Sequence, residues 1–306
     1  MSLLALVAAS LGLGGCDSAP FGRGAVGECG ASNLVEELSI AKFHTCARLR
    51  DGGLKCWGSS FNGQVGDGTR GHRTSPTLIA GLCGVTSVAT AGESTCVSVE
   101  GGSVRCWGLG LGDSPVEIRS TGAVVRVAMN QIEACGLHAD GSVSCWETTA
   151  ERRSPRKIAI SAVTHLVGSK GNWSRFFVRR TDGTVWGWNG MDQPAPMPIP
   201  PVRDISCGIE MCCALLEDAR VVCWDPDNPV FETVSGLRDV VRIAAGGARN
   251  CAILSDGTVR CWGPDRNMGT FGDGSTGAHP LPSAIPSLST VRQIDPGNFN
   301  GCAVLV

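Results

Sequence analysis

Residues Cys251 to Gly263 read CAILSDGTVRCWG, with two cysteines ten residues apart around a Ser255-Asp256-Gly257 centre. Apolar residues alternate on both sides of that centre, the pattern of two strands joined by a tight turn. A three-residue hairpin loop is a type I turn followed by a left-handed residue, a place glycine takes without steric cost. Counting outward, Ile253 faces Val259, Ala252 faces Arg260 and Cys251 faces Cys261. The cysteines then form a non-hydrogen-bonded pair with Cα atoms about 4.5 Å apart, within reach of a cross-strand disulfide.

The same pattern recurs as CARLRDGGLKCWG from Cys46, CVSVEGGSVRCWG from Cys96, CGLHADGSVSCW from Cys135 and CALLEDARVVCW from Cys213. The expected staples are therefore Cys46–Cys56, Cys96–Cys106, Cys135–Cys145, Cys213–Cys223 and Cys251–Cys261. Ala219 replaces the loop glycine in the Cys213 copy, which makes that hairpin's register the least secure. The copy FVRRTDGTVWGW keeps Asp182-Gly183 but carries Phe177 and Gly187 at the two cysteine places. Joint loss of both thiols is what pairing predicts, because one disulfide partner is useless alone. A further copy opens at GCAVLV with Cys302.

Repeats of 36 to 51 residues, each built of short strands and turns, indicate radial repetition of four-stranded sheets. The apolar stretches upstream of each hairpin, such as Val85 to Gly92 and Val240 to Gly247, supply the inner strands. The segment CWGSSFNGQVGDGT, Cys56 to Thr69, resembles the signature of the regulator of chromosome condensation repeat family, and CWGPDRNMGTFGDGS, Cys261 to Ser275, is a looser match. The resemblance implies an all-β, seven-bladed β-propeller of four-stranded antiparallel blades, its hairpins stapled by disulfides, with trimmed connections in the four copies lacking the glycine-rich loop. Residues that eukaryotic relatives use to expel nucleotide from a small GTPase are not identifiable in this chain.

The start, MSLLALVAASLGLGGCDSAP, is an apolar run too short to cross a membrane as a helix. Leu13-Gly14-Gly15-Cys16 resembles the lipobox of bacterial lipoproteins, although no Lys or Arg precedes the run. The resulting expectation is a signal over residues 1–15, lipid attachment at Cys16, a tether over 16–24 and a single propeller over 25–306, exported and held at the bacterial envelope. A buried N-terminal strand or helix is the competing reading of the same run.

Export suits the sixteen cysteines, since an exported chain uses them as disulfides. With Cys16 assigned to lipid and ten cysteines to hairpins, Cys29, Cys83, Cys207, Cys212 and Cys302 remain. The segment GAVGECG, residues 24–30, loosely resembles the half-repeat that Cys302 lacks, and propellers close their rings by pairing strands from opposite chain ends. Ring closure by a Cys29–Cys302 disulfide follows as the expectation, with Cys29–Cys83 as its competitor. Cys207, Cys212 and Cys83 would then hold at least one thiol that is free or bonded to another molecule, with a local Cys207–Cys212 bridge possible. Spacing in CGIEMCC lacks the second ligand half of a structural zinc site, so no metal is expected.

A net charge of −2 leaves no basic surplus for gripping phosphates, so nucleic acid is not an expected partner. No phosphate loop, zinc-protease or serine-hydrolase motif occurs among the residues. The five histidines are His44, His72, His138, His165 and His279, and none sits in such a motif. Trp57, Trp107, Trp146, Trp188, Trp224 and Trp262 recur at one repeat position, a packing pattern. Asn172-Trp173-Ser174 fits the glycosylation acceptor pattern without meaning in a bacterial lipoprotein. The reading is a monomeric, non-enzymatic scaffold without cofactor that binds a protein or glycan through loops on one face. An envelope lyase or hydrolase at the channel is the alternative. Two carboxylates and a histidine converging on one mouth would favour that alternative, and protein inhibition or nucleotide exchange would come after it.

Overall fold

The computed structural model describes residues 29–118, 122–148, 154–171, 175–228, 230–264, 269–298 and 300–306, together with the backbone of Leu4–Val7. Six antiparallel sheets of four strands each follow one another along the chain, over residues 35–78, 85–118, 124–158, 163–196, 202–234 and 240–284. These are blades 1 to 6. In each, the strands lie side by side in chain order, innermost first. A terminal sheet packs between blade 6 and blade 1 and completes the ring.

That terminal sheet corrects the expectation of seven equal blades. It has three strands, Val291–Asp295, Gly301–Leu305 and Leu4–Val7, and the last runs parallel to Gly301–Leu305. The architecture is therefore a six-bladed propeller with a three-stranded closing sheet. Chain ends do meet there, but the partner of the Cys302 strand is Leu4–Val7 and not the 24–30 segment. A parallel neighbour cannot be joined by a tight hairpin, so this strand does not continue the repeat.

The hairpin register is as counted from sequence: Ile253 pairs with Val259, Ala252 with Arg260 and Cys251 with Cys261. Leu254 and Thr258 close the loop through Leu254 N donating to Thr258 O at 2.9 Å, and Gly257 N donates to Leu254 O at 2.9 Å. Gly257 sits at φ 79°, in the left-handed region. Asp256 Oδ1 accepts from Thr258 N at 2.9 Å, and Asp140, Asp182 and Asp218 do the same in their own turns. Ala219 adopts φ 69° and the register of its hairpin holds, with Cys213 opposite Cys223.

All five expected hairpin staples are present, with Cα atoms 4.0–4.1 Å apart. Where blade 4 lacks the cysteines, Phe177 lies opposite Gly187. A Cβ added at Gly187 would come within 2.8 Å of the Phe177 ring. The two substitutions are thus one exchange, a buried ring over a bare backbone in place of a disulfide. Phe177 also meets Trp224 of blade 5 edge-on at 5.7 Å.

Cys29 bonds to Cys83, with Cα atoms 5.6 Å apart, which overturns the Cys29–Cys302 expectation. The reason is local. Gly30 N and Ser32 N both donate to Asp51 Oδ2, at 2.9 and 2.7 Å, so the segment is strapped across the blade 1 hairpin tip and delivered to the connection before blade 2. Cys207 bonds to Cys212, within blade 5. Cys302 is disulfide-bonded too, to a partner outside the described residues. The expected surplus thiol is therefore corrected as well: no described cysteine is free. Cys16, the 1–15 signal segment apart from the Leu4–Val7 backbone, and the glycosylation pattern at 172–174 lie outside the described residues.

Candidate functional site

Seven inner strands line the central channel, and they share one pattern. Val35, Val85, Val124, Val163, Val202, Val240 and Val291 begin them, and Leu38, Val88, Val127, Leu166, Ile205, Ile243 and Ile294 follow three places later, all buried except the half-buried Val35. The intervening places carry Glu37, Ser87, Arg126, His165, Asp204, Arg242 and Gln293, one from each strand. An inner strand has an open edge toward the channel, and an unpaired edge amide is costly away from water. Side chains from the preceding sheet supply the acceptors. Gln293 Oε1 takes Leu38 N at 3.0 Å, Glu37 Oε2 takes Val88 N at 3.3 Å and Ser87 Oγ takes Val127 N at 3.4 Å. Asp204 Oδ2 takes Ile243 N at 3.3 Å. Two residues further on, Asp295, Ser39 and Ser206 take the amides of Ile40, Thr90 and Ala245.

The ring is closed by these bonds as much as by strand pairing. Between the terminal sheet and blade 1, Gln293 Nε2 also donates to Leu38 O at 2.9 Å, and Arg292 donates to Glu36 at 3.0 Å.

The two mouths of the channel differ. At one, Lys170 reaches across from the end of the blade 4 inner strand and donates to Ile40 O at 2.8 Å and Asp295 Oδ2 at 2.9 Å. This bar lies over a cavity of about 230 Å³ lined by the inner strands. His44 is nearby, fully buried, with Nε2 2.8 Å from Thr95 Oγ1, whose own proton goes to Gln64 O at 2.9 Å. Burial, with the Lys170 charge adding to it, pushes the His44 imidazole down to about 3. His44 is therefore a neutral structural donor.

At the other mouth a polar cavity of about 390 Å³ is lined by Glu37, Ser87, Arg126, Arg242 and Gln293 among others. Burial and the nearby Arg126, Arg179 and Arg242 push His165 down to about 4. Glu37, His165 and Asp204 hold equivalent places on their strands, Glu37 lining this cavity and the other two the one beneath Lys170, which approaches the convergence set above as the mark of an enzyme. Their hydrogen bonds weigh against it. Glu37 is held by Arg48 at 3.2 Å, by Arg126 at 3.4 Å and by Val88 N, and both Asp204 oxygens accept backbone amides. Carboxylates committed in this way serve the scaffold's own donors. Among the described residues no three metal-ligating side chains come together.

The glycine-rich signature has a packing role. Gly58 to Thr69 leaves blade 1 and docks on blade 2, where Gly68 N donates to Asp113 O at 2.9 Å and Asn62 Nδ2 donates to Glu93 Oε2 at 2.8 Å. Trp107 Nε1 donates to Gln64 O at 2.9 Å. A Cβ at Gly66 would come within 2.3 Å of that nitrogen, so only glycine lets the loop lie so close. Blades 2, 3 and 4 have short connections there, and Trp146, Trp188 and Trp224 of the blades that follow are buried with Nε1 unbonded. Replacing Trp107 by Phe is expected to cost about 1–2 kcal/mol more than replacing Trp188 by Phe, because only the first removes a hydrogen bond. Urea unfolding of the two variants measures the difference, and equal losses would show that the Gln64 contact contributes nothing.

Both ends of the loop-bearing connections fall on one face of the ring, with the first turn of each blade. On that face Phe61, Leu109, Ile132, Met191 and Val230 are exposed, one from each of blades 1 to 5. Sequence reasoning missed this series because each residue is an isolated apolar position in a turn.

The regulator of chromosome condensation (RCC1) repeat matches at residues 42–64 and 240–269, the two places with glycine-rich connections. Among curated proteins, the ultraviolet-B receptor UVR8 of Arabidopsis thaliana is 25% identical over 235 residues, 62% of this chain and 52% of that one. The chain thus spans about half the length of that relative. Prp20p of Saccharomyces cerevisiae, solved in work on its binding to Gsp1p and histones, superposes with a TM-score of 0.74 at 15% identity, over 89% of this chain and 83% of its own. The complex of Kap60 with yeast RCC1 (Prp20) gives 0.73 at 16% identity, covering 89% and 80%. At such identities the likeness is one of fold.

Proposed function

We propose that the chain is a non-enzymatic scaffold that binds a protein partner through the face bearing Phe61, Leu109, Ile132, Met191 and Val230. The apolar series on five successive blades carries the reading, since apolar side chains grouped on one face of a soluble fold mark interaction sites. The propeller neighbours add to it: Prp20p is described with Gsp1p, histones and Kap60 as partners. Loops on a rigid ring are the usual recognition elements of such folds. A photo-crosslinker at Phe61 or Met191 should trap a protein from envelope extract, whereas one at Leu34 or Leu281 should not. Equal trapping at all four, or none alongside turnover of an envelope substrate, overturns the scaffold reading.

Export and anchoring through Cys16, with the chain a monomer, belong to the same proposal. The lipobox-like Leu13-Gly14-Gly15-Cys16 supports them. Cleavage before Cys16 would remove Leu4–Val7 from the closing sheet. A thioether to lipid would also prevent Cys16 from serving as a disulfide partner. The intact mass of the purified chain reads cleavage and acylation directly.

A further inference from the structure

The edge-capping rule of the channel breaks at two places, and both breaks carry an arginine. Leu166 and Ile294 stand at the same register as Leu38, Val88, Val127 and Ile243, whose amides receive side-chain acceptors. The residues placed to cap them are Arg126 and Arg242, and a guanidinium only donates. Among the described residues neither amide has a side-chain acceptor. At the corresponding step from blade 4, where His165 stands, Asp204 Oδ1 takes Ile205 N instead, at 3.0 Å. Donors therefore outnumber acceptors at these two places of the channel.

The charges there are distributed in the same sense. Glu36 is paired with Arg50 and Arg292, and Glu37 with Arg48 and Arg126. Asp204 stands on the strand before Arg242 and feels its charge and that of Arg179, while its two oxygens accept backbone amides and leave the guanidinium without a hydrogen bond to it. Arg242 is exposed, lines both channel cavities, and has no hydrogen bond or ion pair among the described residues. A guanidinium that makes no hydrogen bond among the described residues, beside bare backbone N–H groups of the channel, is the arrangement that recognises oxygen-rich anions.

We propose that the channel binds a small multivalent oxyanion, carboxylate or phosphate, at Arg242, which lines both cavities and is the principal ligand, with the Ile294 amide as a donor from the inner cavity and Arg126 as one from the outer. The anion completes the acceptor ring that the sequence leaves open at Arg242. It lies in the channel and uses none of the apolar loop residues, so its failure would leave the scaffold reading untouched.

The test is an amide and imidazole NMR titration of the full chain at constant ionic strength with inorganic phosphate, citrate, an acidic peptide and, as reference, chloride. Saturable shifts at Ile294 and His165 are expected, with affinity falling at least roughly tenfold in Arg242→Gln. Arg220→Gln, which removes an exposed arginine paired with Asp218, should bind as the parent does. Saturation by phosphate or citrate identifies a free small anion, and saturation by the peptide alone places the same oxyanion on a protein partner. Shifts that chloride reproduces, or an Arg242→Gln titration identical to the parent, overturn the proposal. Thermal melts accompany each variant, and if Arg242→Gln melts early the parent's Ile294 shift decides.

Discussion

Replacing Cys29 and Cys83 together by serine should lower the stability of the chain by about 4 kcal/mol, against about 2–3 kcal/mol for Cys135 and Cys145. The difference follows from loop length. The first bridge spans 54 residues and the second ten, and a longer closed loop removes more freedom from the unfolded chain. It encloses the whole of blade 1, so its loss frees the blade that pairs with the terminal sheet. The segment from Cys29 would then be held chiefly by the Asp51 carboxylate, through the amides of Gly30 and Ser32. Denaturant unfolding of both double variants under oxidising conditions compares them. A Cys29/Cys83 variant no less stable than the Cys135/Cys145 one would mean that strain in the native bridge cancels the entropic gain. In that event native-state exchange at the blade 1 amides should be unchanged as well.

The hairpins were legible because their information is local. Cysteines ten apart around Asp-Gly specify turn, register and bridge within one short stretch, and even the exchange at Phe177 and Gly187 could be read as a paired loss. Blade number was not legible, since the repeat pattern shows a seventh hairpin opening at Cys302 but says nothing of what lies beside it. That position is taken by a parallel strand, Leu4–Val7, which shares no feature with the repeat. Cys29 offered two partners of equal chemical merit, and the choice rests on an Asp51 carboxylate gathering amides, a contact that no spacing rule encodes. The channel was the least visible part. Glu37, Ser87, Asp204 and Gln293 look like ordinary polar interruptions of apolar strands. Their role as acceptors appears only when the next sheet brings an amide to them, across 51, 40, 39 and 255 residues respectively. The same comparison makes Arg126 and Arg242 stand out, because they occupy acceptor places and cannot accept.

Acid should weaken the fold well before its carboxylates titrate, and His44 is the reason. The buried imidazole is neutral, with its protonation pushed to about 3 by burial and by Lys170. An unfolded chain binds a proton at this residue below about pH 6.5, while the folded chain does not until far lower. Stability contributed above pH 6.5 is therefore lost as pH falls from 6.5 toward 3, at about 1.4 kcal/mol per pH unit for one such group. Between pH 6.5 and 5, where ordinary carboxylates stay ionised, the share of His44 in the loss should reach about 2 kcal/mol, and His165, pushed down to about 4, adds a share of its own. His44→Gln keeps a donor toward Thr95 and removes the titration. It should be less stable than the parent at neutral pH but with a flatter dependence across that window. Lys170→Met offers a separate check, because removing the ammonium over the channel mouth should move the His44 titration upward, which leaves the slope between pH 6.5 and 5 as in the parent and ends the loss at a higher pH. Urea midpoints measured from pH 7.5 to 5 give both slopes. Parallel curves for parent and His44→Gln would show that the imidazole gains a proton without cost, through an opening of the Lys170 bar that lets water reach it.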